Sequence, residues 1–431
     1  MEGPEKPGNP SELAQDAPQS PASGQVNPAN TWAPLAFPMY RAFWFAGLFS
    51  NLGTWMHETG AQWVMASLDP SPEMVSAVRT AMTVPVLLLA LPAGVWADQF
   101  DRRKWLLSTQ AFLLVVATTM ALLAWGNLMT PMVLLILTAA MGAAMVLSQP
   151  AWQALTPELV PAALVPTAVS VGSISFNLAR AIGPALAGLL IASQGTSAAF
   201  ACNAFSFLGI ITVLLLWNRK DEPKPKRGKP KFSTELKKGL FLIKHTEYLR
   251  SALVRVGFFA LSASVLWSLI SLVAKQKLAF AERGFGLSLG LIGAGAVIGA
   301  IVLPKLRMHL SSVLIVTIAQ ISYGLFCVII ALTDSPTIVL PCLFLIGGAW
   351  MTTMTTLNAT AQVNLPKKFR ARGMAGFLMC FALGMALGSM VWGWLGLMTS
   401  LDWAFILAGL ALAATAVCTW RLDLGPLVKA S

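Results

Sequence analysis

Three ionisable side chains lie deep inside apolar stretches of the sequence, where a charge is costly to bury. Glu58, Arg79 and Arg180 lie in the first, second and fifth of these stretches. At about 1.5 Å per helical residue, all three come to one level, roughly 21–27 Å from the same membrane face. Three roles stay open for them: a structural Glu–Arg ion pair, a proton carrier at Glu58, or recognition of an anionic substrate by Arg180 or Arg79. His57 is a further candidate, although it points about 100° away from Glu58 around a helix.

The sequence offers no other pattern for catalysis or metal binding. No P-loop, nucleophile elbow, CxxC or HExxH spacing occurs, and the chain has only three histidines. All five cysteines lie within apolar stretches, where they pack as small apolar residues. We therefore predict a protein that is not an enzyme, binds no metal and needs no cofactor.

The elements that carry these residues are predicted to be membrane-spanning helices. Hydrophobic residues make up 56% of the 431 residues and charged residues only 11%, against about 25% charged in a soluble protein. This composition excludes an ordinary soluble enzyme and a disordered protein. We predict an all-α integral membrane protein with twelve transmembrane helices. The predicted spans are 41–67, 71–97, 104–125, 131–155, 165–193, 197–217, 249–273, 284–303, 311–332, 336–356, 372–398 and 403–420.

The basic residues predict an orientation. With both termini in the cytoplasm, twenty-four of the 30 lysines and arginines fall in cytoplasmic segments, and only Lys275, Lys277 and Arg283 fall in outer loops. This bias follows the positive-inside rule, so we expect a multi-pass plasma (inner) membrane protein with both termini cytoplasmic. The net charge of +12 is spread over short loops rather than one soluble face, which argues against nucleic acid as a partner. Membrane lipids are the expected partners of these loops.

The segments outside the spans divide the chain. Residues 1–36 are polar and rich in proline, so we predict a disordered cytoplasmic tail. Residues 37–217 are expected to form an N-terminal six-helix half, and residues 249–421 a C-terminal one. The basic linker 218–248 is predicted to carry an interfacial helix, and 422–431 to be a second cytoplasmic tail. Arg255, about six residues into its span, is expected to reach the cytoplasmic interface.

An internal repeat indicates two equivalent halves. At an offset of 205 residues, four glycines of the first half coincide with glycines of the second. The pairs are Gly94 with Gly299, Gly142 with Gly347, Gly183 with Gly388, and Gly188 with Gly393. We therefore predict two pseudo-symmetric six-helix halves related by a parallel repeat.

The loop after the second span carries a recognisable pattern. It contains Gly94, Asp98, Arg102 and Arg103 within the segment GVWADQFDRRKW. This segment resembles the signature loop of the major facilitator superfamily of membrane transporters, with departures at its third, sixth and eighth positions. The resemblance implies that these four residues form a gating loop. Glycine lets two helices approach closely, and the arginines can bind carboxylates or lipid phosphates, with Glu158 a candidate partner for Arg102.

Two further segments sharpen the resemblance. The first span contains SNLGTWMHETGAQW and the fifth contains NLARAIGPALAG. Together with the loop they resemble the enterobactin-exporter-like branch of the superfamily, which includes macrolide-efflux relatives. Gly183 and Pro184 are similar to a motif associated with antiporters, of whose usual double glycine only Gly188 is present. Pro184 can kink the helix, and the two glycines open a close-packing face.

Aromatic and polar residues inside the spans are candidates for lining a central cavity. Many of the 15 tryptophans lie near span ends, where they anchor helices at the membrane interface. The cavity candidates are Trp55, Trp63, Asn177, Trp267, Trp350 and Trp392.

The resemblance implies a secondary active transporter that works by alternating access between its halves. We expect a monomer that exports a small amphipathic molecule, such as a siderophore or a drug, by proton antiport. The arginine that drug–proton antiporters often carry in the fourth span is absent, since Ala139, Ala140 and Met141 precede Gly142. An uptake symporter or facilitator of the same fold stays open as an alternative, as does a membrane scaffold or receptor that does not transport.

Overall fold

Twelve long helices make up the part of the chain that the structure describes. The computed structural model describes residues 30–217, 246–363, 365 and 370–425, without the side chains at 91, 94, 95, 97, 98, 370–372 and 375. The helices are α1 Pro38–Leu68, α2 Pro72–Gln99, α3 Arg102–Trp125, α4 Pro131–Leu159, α5 Val165–Gln194, α6 Thr196–Leu216, α7 Glu247–Leu272, α8 Glu282–His309, α9 Ser312–Leu332, α10 Pro336–Val363, α11 Arg370–Met398 and α12 Leu401–Cys418.

Eleven of the twelve described helices are long and apolar enough to cross a membrane. The exception, α1, is 31 residues long, but polar residues such as Asn51, His57, Glu58 and Gln62 lower its mean hydropathy. These polar residues are compatible with a membrane because the bundle covers them: His57 and Gln62 are buried. The predicted fold class, an all-α membrane bundle of twelve helices, is confirmed.

Capping residues determine where several helices begin. Ser71 Oγ accepts a hydrogen bond from the Met74 backbone N–H at 3.3 Å, and Pro72 occupies the first position of α2. The Asp101 carboxylate accepts from the Lys104 backbone N–H at 2.9 Å at the start of α3. Further side-chain caps at the starts of α4, α9 and α12 are Thr130, Ser311 and Ser400.

The helices pack in the same order within each set of six. In the N-terminal set, α1 packs against α5 and α6, α2 against α4, and α3 against α4 and α6. In the C-terminal set, α7 packs against α11 and α12, α8 against α10, and α9 against α10 and α12. Each of these contacts of the first set therefore returns six helices later. Between the sets, α2 packs against α11 and α5 against α8, which is itself a symmetric pair of contacts.

Repeated glycines lie at close approaches between helices. A Cβ atom at Gly142 of α4 would lie 2.6 Å from the carbonyl oxygen of Met82 in α2. Its counterpart Gly347 of α10 meets the carbonyl oxygen of Ile292 in α8. Small residues at these points let the backbones touch, so the repeat in the sequence corresponds to equivalent helix crossings. The next pair behaves alike, with Gly183 against Trp55 of α1 and Gly388 against Leu261 of α7.

The two sets meet closely at one end of the bundle. We call the end at which α1 begins and α12 ends the terminal end, and the opposite end the distal end. At the distal end a Cβ atom on Gly188 of α5 would lie 2.6 Å from Cα of Gly286 in α8. Nearby, the Trp63 and Phe285 rings stack with centroids 5.3 Å apart. Backbone contact and ring stacking therefore close the distal end.

Two polar side chains reinforce this closure. Lys275 and Gln276 lie in the π-helical turn Val273–Lys277 that extends α7. Lys275 Nζ donates to the carbonyl oxygen of Ala66 in α1 at 2.9 Å, and Gln276 Nε2 donates to the carbonyl oxygen of Pro70 at 3.2 Å. Both hydrogen bonds join the C-terminal set to the N-terminal set.

The N-terminal segment differs from the expectation in one place. Within the tail predicted as residues 1–36, Ala33–Ala36 form a 3-10 turn, because Ala33 and Pro34 are buried beside Tyr40 and Val160. The rest of that tail up to residue 29, the predicted interfacial helix within 218–245, and residues 426–431 lie outside the described residues.

Arg255 is directed towards the terminal end, as expected, but it does not reach solvent there. Its side chain is only 1% exposed. It donates to the carbonyl oxygen of Thr419, and to that of Leu422 at 3.1 Å, just beyond the end of α12. Carbonyls at a helix C-terminus lack partners within the helix, so the guanidinium is retained inside the bundle to satisfy them.

Replacing Gly188 by alanine should weaken the closed distal end. The added methyl meets the backbone of Gly286, which cannot rotate away, so we expect a cost of about 1–3 kcal/mol to the closed state. In a cysteine-free parent, alkylation of Ala66→Cys should then accelerate about fivefold or more. Gly172→Ala is the matched control on the same helix, since nothing lies within 4 Å of its added methyl. Equal alkylation rates in both variants would contradict this role for Gly188.

Candidate functional site

A cavity of about 960 Å³ lies between the two sets of helices. Its inner wall includes Trp55, Trp267 and Trp350, and it extends to Gln153 and Gln362 in the last turns of α4 and α10. Both glutamines are exposed at the terminal end. The cavity therefore reaches from the middle of the bundle towards the terminal end, while the distal end is closed. Its volume lies in the range of about 300–1,000 Å³ that is usual for small-molecule sites.

An ion pair lies at the inner end of this cavity. Glu58 of α1 and Arg79 of α2 are joined through Oε1 and Nη1, and their side chains are 15% and 14% exposed. The guanidinium carbon of Arg79 also lies 5.7 Å from the centroid of the Trp267 ring in α7. Arg79 is thus held by a carboxylate from its own set and by an aromatic face from the other set.

Arg180 approaches the same region from α5. It lines the cavity together with Arg79 and Trp350. The structure pairs Glu58 with Arg79 and not with Arg180, whose Nη2 instead lies 3.5 Å from Sδ of Met351 in α10. Arg79 and Arg180 therefore both line the cavity, and Glu58 lines a small adjoining pocket that shares both arginines. Of the two arginines, only Arg79 is paired with the carboxylate.

Comparison with known proteins assigns the family. A sequence profile described as transmembrane secretion effector matches residues 29–430. The chain belongs to this family of major facilitator superfamily transporters. The predicted resemblance to the superfamily is therefore confirmed, and the protein is a multi-pass membrane transporter rather than an enzyme.

Two relatives of this transporter have informative names. It is 23% identical over 292 residues to the staphyloferrin A transporter of Staphylococcus aureus, covering 67% of this chain and 72% of the relative. It is 24% identical over 395 residues to the multidrug efflux pump Tap of Mycobacterium tuberculosis, covering 87% and 90% of the two chains.

Solved structures share the fold. A POT family transporter superimposes with a TM-score of 0.69 at 14% identity, covering 88% of this chain and 94% of that one. A bacterial homologue of the iron transporter ferroportin in an inward-facing state gives 0.64 at 17% identity, covering 89% and 98%. At these identities the likeness concerns the architecture of the transporter alone.

Three of the six residues predicted to line the cavity of the transporter do so, and three do not. Trp55, Trp267 and Trp350 line the cavity, and the last two rings lie 5.2 Å apart. Trp63 belongs to the closed distal end, and Trp392 donates from Nε1 to the carbonyl oxygen of Leu261 at 2.7 Å. The remaining candidate, Asn177, donates to the carbonyl oxygen of Ser173 at 2.8 Å and does not line the cavity.

His57 lies apart from the Glu58–Arg79 pair. It is 2% exposed, and its ring centroid is 4.8 Å from that of Phe200 in α6. Among the described residues neither ring nitrogen has a hydrogen-bond partner. These contacts fit packing within the N-terminal set, because the ring faces α6 and not the cavity.

The arginines of the signature loop bind other helices of the N-terminal set. Arg102 forms an ion pair with Glu158 at the end of α4. Arg103 donates to the carbonyl oxygens of Leu214 and Leu215 at the end of α6, each at 2.7 Å. The loop therefore ties the start of α3 to two helix ends. The resemblance also places residues 94 and 98 in the gating loop, but their side chains are not among those that the structure describes.

The antiporter-like motif in α5 lies on two surfaces. Gly183 faces Trp55 of α1 within the N-terminal set, whereas Gly188 faces α8 of the C-terminal set. Pro184 lies between them and contributes to the lining near Glu58. The motif thus positions α5 both within its own set and against the other.

Sequence reasoning missed two groups of residues. Five methionines line the cavity, and a methionine in an apolar helix carries no signal that separates lining from packing. Gln149 and Gln153 also line it, and their spacing of one helical turn in an apolar helix was a usable signal. The methionines are Met82, Met145, Met374, Met379 and Met385.

We expect Glu58→Gln to destabilise the protein because it leaves the Arg79 charge without its carboxylate. The loss should be about 3 kcal/mol, as for one partner of a buried pair. Adding Arg79→Gln should restore part of it, since the uncompensated charge is then removed. Unfolding free energies of the purified variants in mixed micelles measure this.

Arg180→Gln is the matched control for that rescue. It removes an arginine from the same cavity that the structure does not pair with Glu58. Combined with Glu58→Gln it should restore nothing. Equal rescue by the two arginine substitutions, or no loss from Glu58→Gln alone, would refute the pairing.

Proposed function

We propose that this transporter exports a small amphipathic molecule, a siderophore or a drug, by proton antiport. The observation that carries the proposal is the central cavity, which is closed at the distal end, extends to the terminal end, and has Arg79, the ion-pair partner of Glu58, in its inner wall. Alternating access needs such a site between two sets of helices that can rock against each other. The transporter acts as a monomer and is driven by an ion gradient, with no cofactor.

The orientation follows from the charge of the loops. Lysines and arginines concentrate in the segments at the terminal end, so this end faces the cytoplasm of a plasma (inner) membrane and both termini are cytoplasmic. In this orientation the cavity is open to the cytoplasm, which is the loading state of an exporter. Basic segments at this face also bind anionic membrane lipids.

Export is supported by the relatives. One relative is named a multidrug efflux pump, and the other is named a transporter of the siderophore staphyloferrin A. The cavity wall fits such cargo, because tryptophans and methionines present a large apolar surface and glutamines supply hydrogen bonds. Methionine side chains adapt to different shapes, which suits an amphipathic substrate.

Proton coupling is assigned to Glu58. Its protonation removes the charge that holds Arg79, and Arg79 also contacts Trp267 of the other set. A proton on Glu58 therefore alters a contact between the two sets as well as a pair within one set. The coupled movement follows because an unpaired arginine is costly inside a membrane.

Topology can be tested with reporter fusions at Pro223 and Asp334. Six predicted spans precede the first site and nine precede the second. The reporters should therefore show opposite compartments, with the fusion at Pro223 cytoplasmic. Reporters in the same compartment would contradict the twelve-span orientation.

Transport direction can be measured in inside-out membrane vesicles with an acidic lumen. The radiolabelled probes are benzylpenicillin, chloramphenicol and tetraphenylphosphonium, which are amphipathic and differ in charge. We expect at least one to accumulate above vesicles that lack the protein, and nigericin to abolish the accumulation. Glu58→Gln should lose gradient-driven accumulation and keep substrate exchange.

The control for this variant is Glu247→Gln, which removes an exposed carboxylate at the start of α7. It should transport like the wild type. Accumulation only in right-side-out vesicles would show that the protein is an importer and would contradict export. No accumulation in either orientation would favour a scaffold that does not transport.

A further inference from the structure

Charge is unevenly balanced around the cavity. Among the described residues that line it and the small adjoining pocket, the charged ones are Glu58, Arg79 and Arg180. One carboxylate faces two guanidinium groups, so the described lining carries a net positive charge. A positive charge in a site surrounded by lipid and protein needs an anion or water to compensate it.

The positive charge resides on Arg180. Arg79 has its carboxylate in Glu58 and its aromatic contact in Trp267. Arg180 has no carboxylate within ion-pair distance among the described residues, and its polar contact is Sδ of Met351 at 3.5 Å. A thioether is a weak acceptor, whereas a guanidinium offers five N–H donors in a planar fork. Most of this donor capacity is therefore open to the cavity.

The surroundings of Arg180 define the rest of the ligand. Trp55 and Phe176 lie on the N-terminal side of the cavity, and Trp267, Trp350 and Phe381 on the C-terminal side. These rings provide apolar faces for an aromatic or aliphatic body close to the guanidinium. A ligand bound here would contact both sets of helices at once.

We propose that Arg180 binds the carboxylate of the transported molecule, so that the substrate class is amphipathic organic anions with an apolar or aromatic body. The proposal rests on the transport function proposed above and adds its charge selectivity. A carboxylate matches the guanidinium in a bidentate geometry, with two parallel charge-assisted hydrogen bonds. Because Glu58 already neutralises Arg79, this second anion completes the charge balance of the site without disturbing the ion pair.

The test compares two probes that differ only in charge. Dansyl-phenylalanine carries a carboxylate at neutral pH, and dansyl-phenylalaninamide replaces it by a neutral amide. Their fluorescence rises in an apolar site, so titration of the purified full-length protein in nanodiscs gives both dissociation constants. We expect the wild type to bind the carboxylate about tenfold more tightly than the amide.

Arg180→Gln should abolish this preference, because it weakens carboxylate binding by about tenfold and amide binding much less. Arg180→Lys should keep part of it, because it retains the charge and loses the bidentate fork. Arg250→Gln, which removes an exposed arginine that does not line the cavity, should bind both probes like the wild type. Circular dichroism and an unchanged elution volume in size-exclusion chromatography confirm that the variants are folded.

Two results would overturn the inference. One is that the wild type binds the two probes equally or binds neither of them. The other is a preference for the carboxylate that survives in Arg180→Gln. The binding titration uses no gradient, so it can show charge selectivity even if the vesicle experiment shows no export. Conversely, the vesicle experiment can show export even if the titration shows no charge selectivity. The two proposals are therefore tested separately.

Discussion

The ion pair between Glu58 and Arg79 governs the charge balance at the centre of the bundle. Neither residue could lie alone at this depth without a cost of roughly 2.5–3.5 kcal/mol on insertion scales. Paired, they fix α1 against α2 and direct the guanidinium of Arg79 towards Trp267 of the other set. The same pairing leaves Arg180 without a carboxylate among the described residues. The central cavity acquires its electrostatic character from this single choice of partner.

The remaining architecture packs the helices of each set closely against one another. Within each set, glycines bring backbones into contact at equivalent crossings, for example Gly142 on Met82 and Gly347 on Ile292. Such crossings resist sliding because no side chain separates the helices. Between the sets, close contacts include those at the distal end, at Gly188 and around Lys275.

Local signals predicted most of the fold. The apolar spans lie within or near the ends of the twelve helices, because hydropathy and capping residues such as Ser71 act over a few neighbours. The Arg102–Glu158 pair was also predicted, since the start of the third span and the end of the fourth lie on the same side of the membrane. Arg255 was misjudged. Its distance from the helix end suggested exposure, but its partners, the carbonyl oxygens of Thr419 and Leu422, lie 164 and 167 residues away in the chain.

The sequence by itself determined the depth of each charged residue, because depth follows from counting residues along a helix of fixed rise. It thereby predicted that Glu58, Arg79 and Arg180 share one level. Only the tertiary structure decided which arginine meets the carboxylate. That choice depends on how α2 and α5 are rotated about their axes, and rotation is fixed by packing against distant helices. The contacts of Gly183 with Trp55 and of Gly142 with Met82 set those rotations, and no local pattern records them.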